Sequence, residues 1–509
     1  MRPHPDDTPA TAGSDPLAPL DPARFDADAA RHLLLRAGFG GTPSQASALA
    51  AMGLDRAVAA LVDYGQFEYE PVSAEDFDAS IITPLTPEER AELQQARRDK
   101  NEEIVERYQK RENAAKAADR EQLLDMKKWW LRRMIETPRP LEEKMTLFWH
   151  GHFATGFRTI ENSWHLFQQN HLFRTHALGR FDRLVLEIIR DPAMLAYLDN
   201  DDSRKGRPNE NLARELLELF VLGEGSGYTE QDIKEGARAL TGYTFVDDEF
   251  VFQEGNHDQG PKTIFGQRGN WTGDEFAWLA LNRRACSEFL CGKLYRFFVN
   301  DAADAPARPE AAPVVRAMAA LLRREQYELR PALRALLRSA HFYAPANRAA
   351  MIKSPVQLVV QTVRQFRCPP RRLSALAAAC DLMGQDIFQP PNVKGWEGGR
   401  AWINTSTLFV RQNVAVYLLT GKRPEVYDWE IDDERFDALP LVEHLRRDGA
   451  AAPEALAQAL LRTALAGPAR PERVQEIARV LRDDGPGDEN ARILAALALA
   501  TALPEFQLC

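Results

Sequence analysis

The sequence has 509 residues, of which 45% are hydrophobic and 27% are charged, so it encodes a globular protein with two or three cores of ordinary size rather than a disordered chain. Its 64 Lys and Arg residues are outnumbered by 74 Asp and Glu residues, the net charge is -10, and no long basic block occurs, which argues against a nucleic-acid partner. Its five cysteines include no Cys-x-x-Cys pair, so the sequence encodes neither a disulfide framework nor a thiolate zinc site.

Residues 1–25 read as a disordered tail, because they lack the apolar run behind a basic start that marks a secretory signal. No stretch of eighteen uncharged apolar residues follows, so the sequence predicts no transmembrane segment. These features predict a cytoplasmic protein, and export together with a partner stays the open alternative.

Helical periodicity begins in residues 26–86, the predicted N-terminal helices, which a glycine-rich turn at 38–43 interrupts. Residues 87–137 form a predicted charged helical arm, in which charges alternate in sign as on a solvated helix. At its C-terminal end an apolar stripe predicts that the arm packs against another element; its members are Leu123, Met126, Trp130 and Met134.

Residues 138–420 continue in helical patterns with short polar connections, as in a helical bundle. A different texture at 243–268 predicts a small hairpin, and a connector before residue 434 sets off a C-terminal helical subdomain at 434–509. We therefore expect a mainly α fold, a multi-helix, bundle-like assembly with orthogonal packing and a small β-hairpin or extended insertion.

Histidines are concentrated in one segment, since five of the ten lie at 150–176. Imidazole is the commonest metal ligand, so His150 and His152 become candidate metal ligands. On an unbroken helix the two rings would diverge by about 200°, and the hypothesis therefore needs a break at Gly151. The alternative for each histidine is a core or capping imidazole, and His171, on the apolar stripe of the next helix, is a further candidate pocket residue.

A polar stripe follows one helix at 209–222, where Asn211, Arg214, Glu215 and Glu218 recur at i, i+3, i+4 and i+7. Glu215 and Glu218 are candidate metal ligands, since glutamates on bundle helices build carboxylate metal sites. The structural alternative is a surface network in which Arg214 bridges Glu210 and Glu218.

Two loops carry further candidates. His257 and Asp258 place an imidazole beside a carboxylate, a candidate acid–base pair. Lys394, Trp396 and Trp402 lie in a loop rich in glycine and proline that either lines a cleft or caps a core. The chain has no HExxH, no GxSxG, no Walker loop and no strand-borne GxGxxG, so the familiar hydrolase, NTPase and dehydrogenase classes lose support.

Several long blocks resemble the bacterial family catalogued as domain of unknown function 1800: RHLLLRAGFG at 31–40, PLEEKMTLFWHGHFATG at 140–156, RKGRPNENLARELLELFVLGEGSGYTEQDIKEGARALTGYTF at 204–245, HDQGPKTIFGQRGNWTGDE at 257–275, KLYRFFV at 293–299, IKSPVQLVV at 352–360 and QPPNVKGWEGGRAWINTSTL at 389–408. The resemblance implies a mostly helical protein, often encoded beside a partner of the family called domain of unknown function 1501, and it carries over no catalytic residues. Members often have export signals, which residues 1–25 lack, and the arm resembles an insertion.

Two functions lead at this point, ahead of a third possibility with no reaction attached, a cofactor-free enzyme acting in a cleft at Trp396 and Trp402. One is a metal-dependent enzyme of unknown substrate, in which a divalent metal ion is held by His150, His152 and a carboxylate of the polar stripe, with the His257–Asp258 pair as proton carrier. The other is a non-enzymatic interaction or scaffold protein that works with a partner encoded nearby.

Overall fold

The computed structural model describes residues 15–73, 77–301, 309–482 and 488–509. The N-terminal half of its helices comprises α1 Ala27–Ala37, α2 Pro43–Met52, α3 Leu54–Val62, α4 Pro87–Arg98, α5 Glu102–Glu136, α6 Pro140–His152, α7 Phe157–Ile160, α8 Ser163–Thr175, α9 Phe181–Ile188, α10 Pro192–Tyr197, α11 Asn211–Glu215 and α12 Glu230–Ala239. A π-helix, Leu216–Val221, continues α11 directly.

The remaining helices are α13 Gly273–Leu281, α14 Arg284–Phe298, α15 Ala311–Arg324, α16 Leu329–Arg338, α17 Pro355–Phe366, α18 Leu373–Leu382, α19 Thr405–Thr420, α20 Leu439–Arg447, α21 Pro453–Ala464, α22 Pro471–Arg482 and α23 Glu489–Ala502. Short 3-10 helices include Gly399–Trp402 and Pro504–Gln507. No single helix among the described residues is long and apolar enough to cross a bilayer; α2 and α3 pass that test only as a pair, and they are bent by 115°.

The strands form two antiparallel hairpins between α12 and α13. Strand β1, Tyr243–Val246, pairs with β2, Glu249–Phe252, and β3, Lys262–Ile264, pairs with β4, Gln267–Gly269. The turn of the first hairpin contacts α8, where the ring Nε2 of His165 lies 3.1 Å from a carboxylate oxygen of Asp248. The predicted mainly α fold with a small hairpin insertion is confirmed.

Apolar side chains of the described residues pack into two cores. The first joins α1–α3, one side of α6, α9 and α11–α16, and the second joins the C-terminal half of α5 with α17–α23. Helix α6 serves both, because Met145 packs in the first core and Leu147 in the second. The predicted apolar stripe of α5 lies in the second core, and its four members are buried.

Several segments differ from the sequence prediction in detail. Residues 1–14 of the expected tail lie outside the described residues, while Leu20 and Phe25 are buried in the first core. The apolar pattern at 181–198 predicts one helix, but α9 ends at Ile188, and Asp191 caps a separate helix, α10, whose first residue is Pro192. All five cysteines are buried and unpaired.

The arm is anchored to the body by a buried carboxylate. Glu143 of α6 is fully buried and accepts hydrogen bonds from Trp130 Nε1 (2.9 Å) and from Arg174 Nε and Nη2 (2.8 and 3.0 Å). Arg133 of α5 also donates to Glu143. The two guanidinium groups hold the pKa of Glu143 below its usual range against the opposing effect of burial, so one carboxylate ties α5, α6 and α8 together.

Candidate functional site

Helix α6 runs without interruption through Gly151 to His152, so the break that would bring both imidazoles to one side does not occur. His150 instead faces the loop at 386–396. Its Nε2 accepts a hydrogen bond from the backbone N–H of Phe388 (2.9 Å), and its ring lies 5.5 Å from that of Trp396. Burial lowers the pKa of His150 to about 3, which keeps the ring in the neutral form that this acceptor role requires.

His152 points into the opposite side of the helix, where both of its ring nitrogens have partners. Its Nε2 donates to the carbonyl of Phe220 (2.9 Å), and its Nδ1 accepts from Nζ of Lys293 (3.1 Å). Lys293 also donates to the carbonyl of Leu219 (3.2 Å). Both carbonyls lie in the last turn of the π-helix, where helix carbonyls have no helical partners, so His152 and Lys293 together cap its end.

Lys293 is a residue that the sequence analysis did not single out. Burial lowers its pKa to about 7, and its Nζ lies 5.0 Å from the ring centroid of Phe289. One sequence signal was available, since Lys293 is close in sequence to Cys291 and Leu294, which are buried on α14, and lies at the edge of that buried face. A lysine in such a position needs buried acceptors, and the π-helix provides them.

The loop at 389–399 is held on the end of α6 by close backbone contact. Gly395 has φ +76°, and a Cβ on it would lie 2.2 Å from the carbonyl oxygen of Gly151. Only glycine fits this approach and this backbone conformation. The contact brings the ring of Trp396 to 5.5 Å from that of His150, and Lys394 reaches Glu224, which follows the π-helix.

Glu215, Glu218, Glu224 and Lys394 form a polar surface that we call the loop face. Nζ of Lys394 lies 2.7 Å from Oε1 of Glu224, and its charge also acts on Glu215. Burial and the neighbouring Glu218 raise the pKa of Glu215 above its usual range. The structure therefore brings three of the predicted site residues together, namely Glu215, Glu218 and Lys394, while Trp396 packs against His150.

The rest of the polar stripe forms the surface network of the structural alternative. Arg214 lies 3.1 Å from Glu210 and 3.4 Å from Glu218, and it makes a closer pair of contacts with Glu230 at 2.8 and 2.9 Å. The hydrogen bonds to Glu230 raise the pKa of Arg214. Asn211 is exposed at the first position of α11.

The other candidates lie away from the loop face. His257 is buried and donates from Nδ1 to the carbonyl of Thr241 (2.9 Å), while Asp258 pairs with Arg238 (2.7 Å), which lowers the carboxyl pKa. His171 is exposed on α8. Trp402 is the last residue of the 3-10 helix Gly399–Trp402, and its side chain is buried. No hydrogen bond or ion pair among the described residues joins these four side chains to the loop face.

Within the described ranges, no group of three or more His, Cys, Asp or Glu side chains is arranged to hold a metal ion. His150 and His152 lie on different sides of α6, and the carboxylates of Glu215 and Glu218 lie on the loop face. The four predicted metal ligands are thus near one another in the fold but do not surround one point.

Comparison with known proteins matches residues 32–508 to the family described as "Protein of unknown function (DUF1800)". This range includes the arm, both cores and the loop face. No curated protein and no solved structure matches the chain.

Proposed function

Since the chain belongs to the DUF1800 family of proteins of unknown function, we propose a role from its geometry: it is a non-enzymatic protein-binding protein that presents the α4–α5 hairpin to a partner. The observation that carries this proposal is the exposure of the hairpin. From Pro87 to Ala118 only Ala96 and Tyr108 are buried, and both lie in the seam between α4 and α5. Contact with the body begins near Lys116, which pairs with Glu161 at 3.0 Å.

The hairpin is rigid enough to serve as a recognition element. Tyr108 donates a hydrogen bond to Glu92 (2.5 Å), and Arg107 pairs with the same carboxylate at 2.8 Å. Thr86 and Glu89 form a capping box at the start of α4. At 1.5 Å per residue, the part of α5 before the body is about 25 Å long. A prefolded element of this length loses little conformational entropy when it binds.

The charge of the hairpin favours a protein partner. Residues 87–118 carry eight acidic and eight basic side chains, so the surface alternates in sign and has no excess of either charge. Such a surface complements the mixed charges of another protein better than it complements a polyanion. The family resemblance supplies a specific partner for the proposal, a protein of the family called domain of unknown function 1501.

The test uses the full chain with a shortened hairpin. Replacing residues 90–110 by a four-residue Gly/Ser linker keeps the pair between Glu89 and Arg111, which are 2.5 Å apart, and removes everything beyond it. Isothermal titration calorimetry against the purified partner should show at least a 100-fold weaker Kd, with the melting temperature of the body unchanged.

The matched control is Tyr108→Phe, which removes one hydrogen bond inside the seam and leaves the outer surface intact, so it should bind as the wild type does. An unchanged Kd in the shortened variant would refute the proposed role of the hairpin.

A second candidate is an enzyme acting at the loop face, with a divalent metal ion bound by Glu215 and Glu218. The raised pKa of Glu215 favours it, because perturbed carboxyl groups are typical of functional sites. Elemental analysis of the wild type and of Glu215→Gln/Glu218→Gln would test it. Stoichiometric metal lost in the variant would support this function, and equal trace metal in both would remove it.

A further inference from the structure

Four cationic side chains are buried close together in the interior, between the two cores. They come from α1, α6, the segment before α17, and α19, and their exposed fractions are 2% for Arg36, 7% for Lys144, 1% for Lys353 and 0% for Arg411. Cys509 interacts electrostatically with all four, and Asp301 also acts on Arg36. Buried charges are costly unless they are compensated, and here the cations outnumber the acid groups near them.

Two of the cations have hydrogen-bond acceptors of their own. Arg36 donates to the carbonyl oxygens of Phe298 (2.9 Å) and Cys509 (2.8 Å), and Lys144 donates to the side-chain oxygen of Gln357. Each of these two cations therefore has at least one hydrogen-bond acceptor, and both also interact with Cys509.

Lys353 and Arg411 each keep an unsatisfied donor. Arg411 uses Nη2 on the carbonyl of Lys353 (2.6 Å) and Nη1 on Gln507 (3.1 Å), but its Nε has no hydrogen-bond partner among the described residues. Nζ of Lys353 likewise has none there, and it lies 3.9 Å from the ring centroid of Phe506. Lys353 and Arg411 are joined by a hydrogen bond, and each has one charged donor without an acceptor among the described residues. This is unusual for buried polar groups.

We propose that this region is a binding site for a small inorganic anion of about the size of chloride, held by Nζ of Lys353 and Nε of Arg411. A water molecule could accept hydrogen bonds from the two donors but would leave the excess positive charge in place. An anion accepts the same hydrogen bonds and also compensates the charge. The near-complete burial of both residues excludes bulky organic anions. This site is separate from the α4–α5 hairpin and from the loop face.

The site is sensitive to pH. Burial and the charge of Arg411 lower the pKa of Lys353 to about 7, against the opposing effect of Cys509; these are the titratable groups that face it from α19 and from the C-terminal segment. The protonated amine binds the anion, so affinity is highest below pH 7 and falls as the pH rises through that value. A bound anion in turn raises the pKa of the amine.

The test compares thermal unfolding of the full chain at pH 6.5 in sodium chloride and in sodium gluconate at equal ionic strength. We expect a saturable rise of about 2–4 °C in Tm with chloride. Lys353→Met should abolish the rise, and Lys394→Met, which removes an exposed lysine, should preserve it. Equal Tm values in the two salts, or an undiminished chloride effect in Lys353→Met, would overturn the proposal.

A second measurement applies if Lys353→Met does not fold. Crystals of the wild type grown in bromide should show an anomalous peak within hydrogen-bond distance of both Lys353 Nζ and Arg411 Nε. A peak-free interior, or a water molecule refined at that position, would show that the donors are hydrated and would overturn the assignment.

Discussion

Removal of the charge on Glu143 should destabilise the protein strongly. In Glu143→Gln the shape of the side chain is kept, but an acceptor oxygen becomes a donor that faces Trp130 and Arg174, and two buried guanidinium groups lose their counter-charge. Breaking a buried ion pair in this way costs about 3–5 kcal/mol. Urea unfolding at pH 7, followed by the fluorescence of the tryptophans near the network, measures the loss directly.

The pH dependence gives an independent check on the same reasoning. The folded-state pKa of Glu143 is below the ordinary value of 4.5, so its stabilisation is present above that value and is lost as the pH falls through the folded-state pKa. The stability difference between wild type and Glu143→Gln should therefore shrink in acid. Glu136→Gln is the matched control, because its pair with Arg132 is 3.9 Å long and more than half exposed. A loss under about 1 kcal/mol in Glu143→Gln would refute the view that this carboxylate anchors the arm.

Three further changes test other parts of the structure. Gly395→Ala should release the loop from α6 and lower the stability by about 2 kcal/mol or more, seen as a lower Tm and altered Trp396 fluorescence. The control is Gly225→Ala, which is also at positive φ (+71°) but has open space around it, and it should lower the stability by about 1 kcal/mol. Because the pKa of Lys293 is lowered to about 7 from 10.5, the free energy of unfolding should rise with pH between these values. Lys293→Met should flatten this pH dependence in urea titrations at about pH 6.5–10. An unchanged pH dependence would contradict the burial of this amine. Burial raises the thiol pKa of Cys286, Cys291, Cys368 and Cys380, so a disulfide-exchange reagent should label these four only after unfolding, and rapid labelling of the native protein would count against their placement.

Much of the helical architecture could be predicted, because helix periodicity is a local property. The stripe at Leu123, Met126, Trp130 and Met134 predicts a buried face, and all four are buried. The π-helix could not be predicted, since the groups that satisfy its carbonyls, Lys293 and His152, reach it from α14 and α6.

The candidate site shows more clearly that contacts between residues distant in sequence could not be predicted. The low helix preference of Gly151 suggests a break, yet α6 continues through it, because tertiary packing outweighs a local preference of about 1 kcal/mol. The glycine that cannot be replaced without a clash is Gly395, because the carbonyl oxygen of Gly151, far away in the sequence, packs against it. The unsatisfied donors of Lys353 and Arg411 are likewise a property of the packed interior.

The sharing of α6 between the two cores has a mechanical consequence. A helix whose opposite sides are embedded in different apolar clusters cannot leave one of them without exposing the other, so the halves of the molecule should melt as a single cooperative unit. Calorimetry would then record one heat-absorption peak, and protease digestion should yield no independently folded fragment containing only α17–α23.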